Sequence, residues 1–110
     1  MTAGQSGHER PNPHRGEAAL VLDGTTYRLR PTFAALVDAE QELGPLFSLV
    51  ERASAGELRL SEMVALFWHC LADGHGLSRA GFADAVVRGG LAGATPALRT
   101  LMTQVLKGGA

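Results

Sequence analysis

Apolar and polar positions along the chain change rhythm twice. Residues 1–16 (MTAGQSGHERPNPHRG) carry no large apolar side chain beyond Met1. Such a segment cannot offset the entropy of its own ordering, so a disordered N-terminal tail is expected there. From Glu17 to Arg30 the pattern alternates around Asp23-Gly24. A DG pair between alternating runs predicts a two-residue hairpin, because a type I′ turn needs positive φ at both central residues. The resulting register pairs Leu22 with Thr25, Leu20 with Tyr27 and Ala18 with Leu29. It gathers Leu20, Leu22, Tyr27 and Leu29 on one face and puts Val21, Thr26, Arg28 and Arg30 on the other. An isolated hairpin is marginal in water, so its apolar face is expected to pack on helices.

Beyond Pro31, which ends the second strand, helical spacing takes over. Thr32 is placed to cap a helix running to about Leu43, with Phe33, Leu36, Val37 and Glu40 as one row, Ala39 and Leu43 beside it, and Gly44 as its stop. Pro45 is read as the first position of a second helix, supported by Leu46, Phe47, Leu49, Val50 and Ala53 and ending near Gly56. The stretch Ser61–Asp73 (SEMVALFWHCLAD) is apolar around most of its helical circumference. It is predicted as the central, enclosed helix, capped by Ser61, stopped at Asp73-Gly74, with Trp68 buried. Ser78 caps a fourth helix reaching about Arg88, with Phe82, Ala85 and Val86 inward. Gly89, Gly90 and Gly93 read as a flexible link, and Thr95-Pro96 as the start of a last helix that Gly108-Gly109 stops. In that helix Leu98, Leu101, Met102, Val105 and Leu106 fall at i, i+3, i+4, i+7 and i+8. The expected fold is α+β, mainly α: one domain over residues 17–108, with an N-terminal β-hairpin packed on a bundle of four to five short helices.

Composition narrows the function classes. At 110 residues and 45% apolar content, the chain suits a single modest core. A net charge of −1 supplies no global field for nucleic acid or an anionic membrane. One cysteine excludes an internal disulfide and fits a reducing, cytoplasmic setting. The N-terminus lacks an apolar signal-peptide core, and no segment is long enough to span a bilayer. Basic charge is almost all arginine, with Lys107 the only lysine, a skew the sequence itself does not explain.

Candidate chemistry is sparse. His69, Cys70, Asp73 and His75 are the one tight group of metal-capable side chains. His69 and Asp73 share a helical face, whereas Cys70 points about 100° away from His69. Three or four convergent ligands are needed, so no metal site and no Cys-His nucleophile is expected. Gly74-x-Gly76 follows a helix instead of a strand and lacks the context of a phosphate loop. No enzyme activity and no cofactor are expected. The two helices around GHGL permit a helix-turn-helix, hence an alternative reading as a small DNA-binding regulator. The second of them, with Arg79, Asp84 and Arg88, offers little that reaches base edges. The C-terminal stripe of Leu98, Leu101, Met102, Val105 and Leu106 reads first as a face closing the core. Its second reading is a partner-binding or self-association surface of the helix-in-groove kind, with Met102 as an adaptable contact.

Order and spacing add a resemblance. NPHRGEAALVLDGTTYRLRPTFAALVDAEQELG combines an Asn-x-x-Arg-Gly-Glu entry, a DG hairpin, then Leu-Arg-Pro-Thr-Phe and a short acidic helix ending in Gly. Together with ERASAGELRLSEMVALFWHCLADG, it resembles the small tail assembly chaperones of gene transfer agents and related prophages, a family formerly labelled tail tube protein. The likeness covers about residues 12–92. It implies a non-catalytic tail assembly chaperone that acts on tape measure protein, with the tail tube subunit as a second candidate partner, before the tube polymerises. A homo-oligomer is compatible with it. No short motif of the family marks binding residues that would carry over.

Overall fold

The computed structural model describes residues 17–72 and 76–107. The expected disordered tail, the Asp73-Gly74 stop, His75 and the Gly108-Gly109 stop lie outside them. The described chain forms β1 (Ala18–Leu22), β2 (Thr25–Leu29), α1 (Phe33–Leu43), α2 (Leu46–Ser54), α3 (Leu60–Cys70), α4 (Arg79–Gly89) and α5 (Leu91–Lys107). The fold is α+β and mainly α, as the pattern predicts, with five helices. The hairpin register is the expected one, Ala18 to Leu29 through Leu22 to Thr25. Asp23 and Gly24 both take positive φ, 51° and 78°, which is what a primed turn requires. Ala18, Leu20, Leu22 and Leu29 are buried and Val21 is exposed. The apolar face meets α4 and α5, while α1 lies against α2 and α3.

Local signals set several boundaries. The Thr32 hydroxyl accepts from the Ala35 amide at 3.1 Å and the Ser78 hydroxyl from the Gly81 amide at 3.0 Å, so both caps form as expected. Gly44 ends α1 at φ 84°. Gly90 separates α4 from α5 at φ 85°. α2 starts at Leu46, one residue after the expected position, and the Glu40 carboxylate accepts from its first amide at 3.1 Å.

Four expectations are corrected. First, α1 is rotated: Ala39 is buried, with Ala35, Leu36 and Leu43 packed against the core, whereas Phe33 is 85% exposed. The small Ala35–Ala39 row lets α1 approach α3 closely, and Phe33 is turned out. Second, α3 begins after Arg59 and ends at Cys70. Glu62 accepts from the Arg59 amide at 2.9 Å, so the start is fixed by the carboxylate half of a capping box and not by Ser61. At the other end, the Arg30 amide donates to the Cys70 carbonyl at 2.6 Å and the Ala72 amide to the Arg28 carbonyl at 2.9 Å. Leu71 forms an antiparallel bridge with Leu29. Pairing with the outer edge of β2 thus takes the chain out of the helix and covers that edge. Third, Trp68 is only half-buried; Phe67 and Phe82 are the fully buried aromatics. Fourth, α5 starts at Leu91, with Pro96 inside it and Gly93 helical. Gly90 alone makes the break, and Pro96 removes a single donor from the helix, so no flexible link precedes the stripe.

Candidate docking surface

α3 carries two apolar faces. Met63, Leu66, Phe67 and Cys70 enter the core. Leu60, Val64 and Trp68, at i, i+4 and i+8, form a second row turned toward α4, in which Val64 is itself buried and Trp68 packs against the core. Ala80, Ala83 and Val87 face it from α4. Where Trp68 meets Phe82, at 5.8 Å between ring centroids and a 49° tilt, the two helices are filled in. Farther along, α4 offers only alanine methyls opposite Leu60 and Val64. The space left is a groove of about 480 Å³ lined by Leu60, Ser61, Val64, Arg79, Ala80, Ala83 and Val87. Leu60 is 42% exposed at its rim and Val87 56%. An apolar trough between two helices is shaped to take a row of side chains from a third.

Charged junctions hold the walls of this groove. Glu42 of α1 accepts from His69 of α3 at 2.8 Å and from Arg79 NH1 of α4 at 2.9 Å, with Arg79 NH2 on its other oxygen. One carboxylate therefore joins three helices. On the far side of α3, Arg52 forks onto Glu62 at 2.7 and 2.6 Å. Arg88 grips Asp23 through Nε and NH2, at 3.2 and 2.8 Å, and ties α4 to the hairpin turn. The Arg79 hydrogen bonds, followed by that from His69, hold the Glu42 carboxyl down at about 2, against an ordinary 4.5. Arg52, then the Arg59 amide, does the same for Glu62, also to about 2.

These shifts predict an acid response. A carboxyl lowered on folding contributes stability that is complete above its unfolded pKa and is lost as pH falls through the folded value. The stability gap between wild type and Glu62→Gln should therefore be full above pH 4.5 and close as pH approaches 2. Chemical denaturation at stepped pH measures it, and a gap that persists at pH 2 would refute the assignment. Both junctions are solvent-accessible, so added salt should narrow the gap at neutral pH.

The residues singled out in the sequence fall as follows. Cys70 is buried in the core, and desolvation pushes its thiol up to about 12. His69 is engaged by Glu42. Among the described residues, no three His, Cys, Asp or Glu side chains converge on a metal-sized site. Arg79 and Arg88, the cations a helix-turn-helix would turn to phosphate, are bound to Glu42 and Asp23. In the C-terminal stripe Leu101 is fully buried, and Leu98, Met102 and Val105 are partly buried against the core. Leu106 is 57% exposed. No helix of the described residues is long and apolar enough to cross a membrane.

Sequence reasoning missed the groove itself. Leu60 falls outside the helix predicted over Ser61–Asp73, and Ala80 and Ala83 carry no apolar signal of their own. The available clue was the Leu60–Val64–Trp68 row, which runs beside the Met63–Phe67–Cys70 row of the same helix. The family model described as phage tail tube protein, GTA-gp10, matches residues 15–108. No curated protein and no solved structure matches the chain.

Proposed function

From the premise that the chain belongs to the phage tail tube protein, GTA-gp10 family, we propose that it is a non-catalytic tail assembly chaperone of a gene transfer agent or prophage. In this reading it holds a helical segment of the tape measure protein until the tail tube polymerises. The observation that carries it is the α3–α4 groove, an apolar trough between two helices lined by Leu60, Val64, Ala80, Ala83 and Val87. A tape measure protein is long and helical, so it offers many amphipathic rows, and such rows dock as i, i+3, i+4 and i+7 anchors. Leu106, with the outer parts of Leu98, Met102 and Val105, offers a second apolar margin that a long partner can reach.

The test is co-production with the tape measure and tail tube proteins of the same gene cluster. A chaperone keeps the tape measure protein soluble, co-elutes with it, and is absent from sedimented tubes. A chain that sediments in stoichiometric amounts with tubes and leaves tape measure solubility unchanged is a tube subunit, and the proposal fails.

A further inference from the structure

We propose that a second copy of this chain docks the outward face of its α1 into the α3–α4 groove. α1 has two faces. Ala35, Leu36, Ala39 and Leu43 pack inward. Phe33, Val37 and Gln41, at i, i+4 and i+8, run along the opposite side beside Asp38. Phe33 is 85% exposed, an entire phenyl ring left in water at the start of an unpartnered helix face. That is an anchor side chain without a socket, and a socket without an occupant lies between α3 and α4.

Charge selects this occupant among those the chain can supply. α1 carries Asp38, Glu40 and Glu42 and no lysine or arginine. The charged residue lining the groove is Arg79, whose side chain is 44% exposed. It uses NH1 and NH2 on Glu42, and a guanidinium has five donors in all, so it can accept a further carboxylate. Arg59 precedes Leu60 at the other end of the groove. Neither Arg59 nor Asp38 enters an ion pair among the described residues. Phe33 and Val37 with an acidic flank therefore complement an apolar trough whose lining charge is cationic. α2 and α5 do not: α2, whose Phe47 is 68% exposed, carries Arg52 beside Glu51, and α5 carries Arg99 and Lys107 and no carboxylate. The segment 1–16 has no large apolar side chain beyond Met1 to fill the space.

The two surfaces are different parts of the molecule, so the contact is heterologous. Each copy keeps one free knob and one free groove, and assembly proceeds to rings or open filaments instead of stopping at a two-fold dimer. This inference does not depend on tape measure binding, and its test contains no tape measure protein. Should both hold, the two occupants exclude one another.

Sedimentation velocity of the full chain at rising concentration tests it, with Phe33→Ser and Val87→Asp as variants. Both side chains are largely exposed, so thermal melting of the variants should match wild type. Wild type should sediment faster as concentration rises, and more so at low than at high salt. Each variant alone should stay monomeric. An equimolar mixture joins the intact α1 of one to the intact groove of the other, and should give a dimer and nothing larger. A wild type that stays monomeric to the highest attainable concentration overturns the proposal. So do variants that associate like wild type, or a mixture that remains monomeric.

Discussion

Replacing Phe67 by alanine is expected to lower the unfolding free energy by about 3–5 kcal/mol, and replacing its neighbour Trp68 to lower it by less. Phe67 is fully enclosed, with Leu66 and Cys70 on the same helix equally buried. Losing the ring forfeits its transfer free energy and leaves a cavity that rigid neighbours close only in part. Trp68 sits on the other row of α3, partly buried against the core, and its ring packs on Phe82 at a tilted angle. Its truncation removes part of a large apolar surface, but water can fill the space. Urea denaturation of both variants decides the matter. A larger loss for Trp68→Ala would mean that the groove row, and not the Phe67 row, is the structural face of α3.

The second large effect concerns α5. A chain cut after Gly90 should lose its cooperative unfolding transition. Ala94, Ala97 and Leu101 of α5 are buried, and the helix lies against β1, α2 and α4. Removing it uncovers the hairpin face that carries Leu20 and Leu22, and a two-stranded hairpin does not hold itself together in water. A domain of this size has little stability in reserve. A cut after Gly93 leaves only the first three helical residues of α5 and should behave the same way. A sharp, sigmoidal urea transition in the truncated chain would show that α5 is an appended arm. Its whole stripe, Leu101 included, would then be open to a partner.

What could be read in advance was what neighbours in sequence decide. Asp23-Gly24 fixed the hairpin register because one turn geometry suits that pair. Thr32, Ser78 and Gly44 marked helix ends because each cap closes within a few residues. What escaped depends on distant partners. α3 stops at Cys70 because β2 takes its carbonyl, and nothing between Ser61 and Asp73 announces that. The α1 sequence FAALVDAEQEL holds two overlapping rows, and packing against α3 chose the one with alanines, sending Phe33 outward. Pro96 looked like a boundary, yet Gly90 had already supplied the break. The groove is defined by side chains that α4 lacks, which no hydrophobic pattern displays.

The arginine bias also gains a partial physical account. Arg52 and Arg79 each bind one carboxylate through both terminal nitrogens, and Arg88 uses Nε and NH2 on Asp23. Each of these forks joins two elements. A planar guanidinium makes such contacts, and a lysine ammonium does not reproduce them.

In the proposed function, the α3–α4 groove receives a helix of the tape measure protein. Calorimetric titration of tape measure helical segments into the full chain, wild type against Ala83→Leu, tests it most directly. Ala83 lines the groove and is only partly buried, so a leucine there extends into the trough; a thermal melt that matches wild type shows the fold is kept. Wild type should bind one segment, and Ala83→Leu should bind it about tenfold or more weakly, a loss of about 1.4 kcal/mol or more. Equal affinities for the two proteins, or no binding by wild type, would contradict the claim.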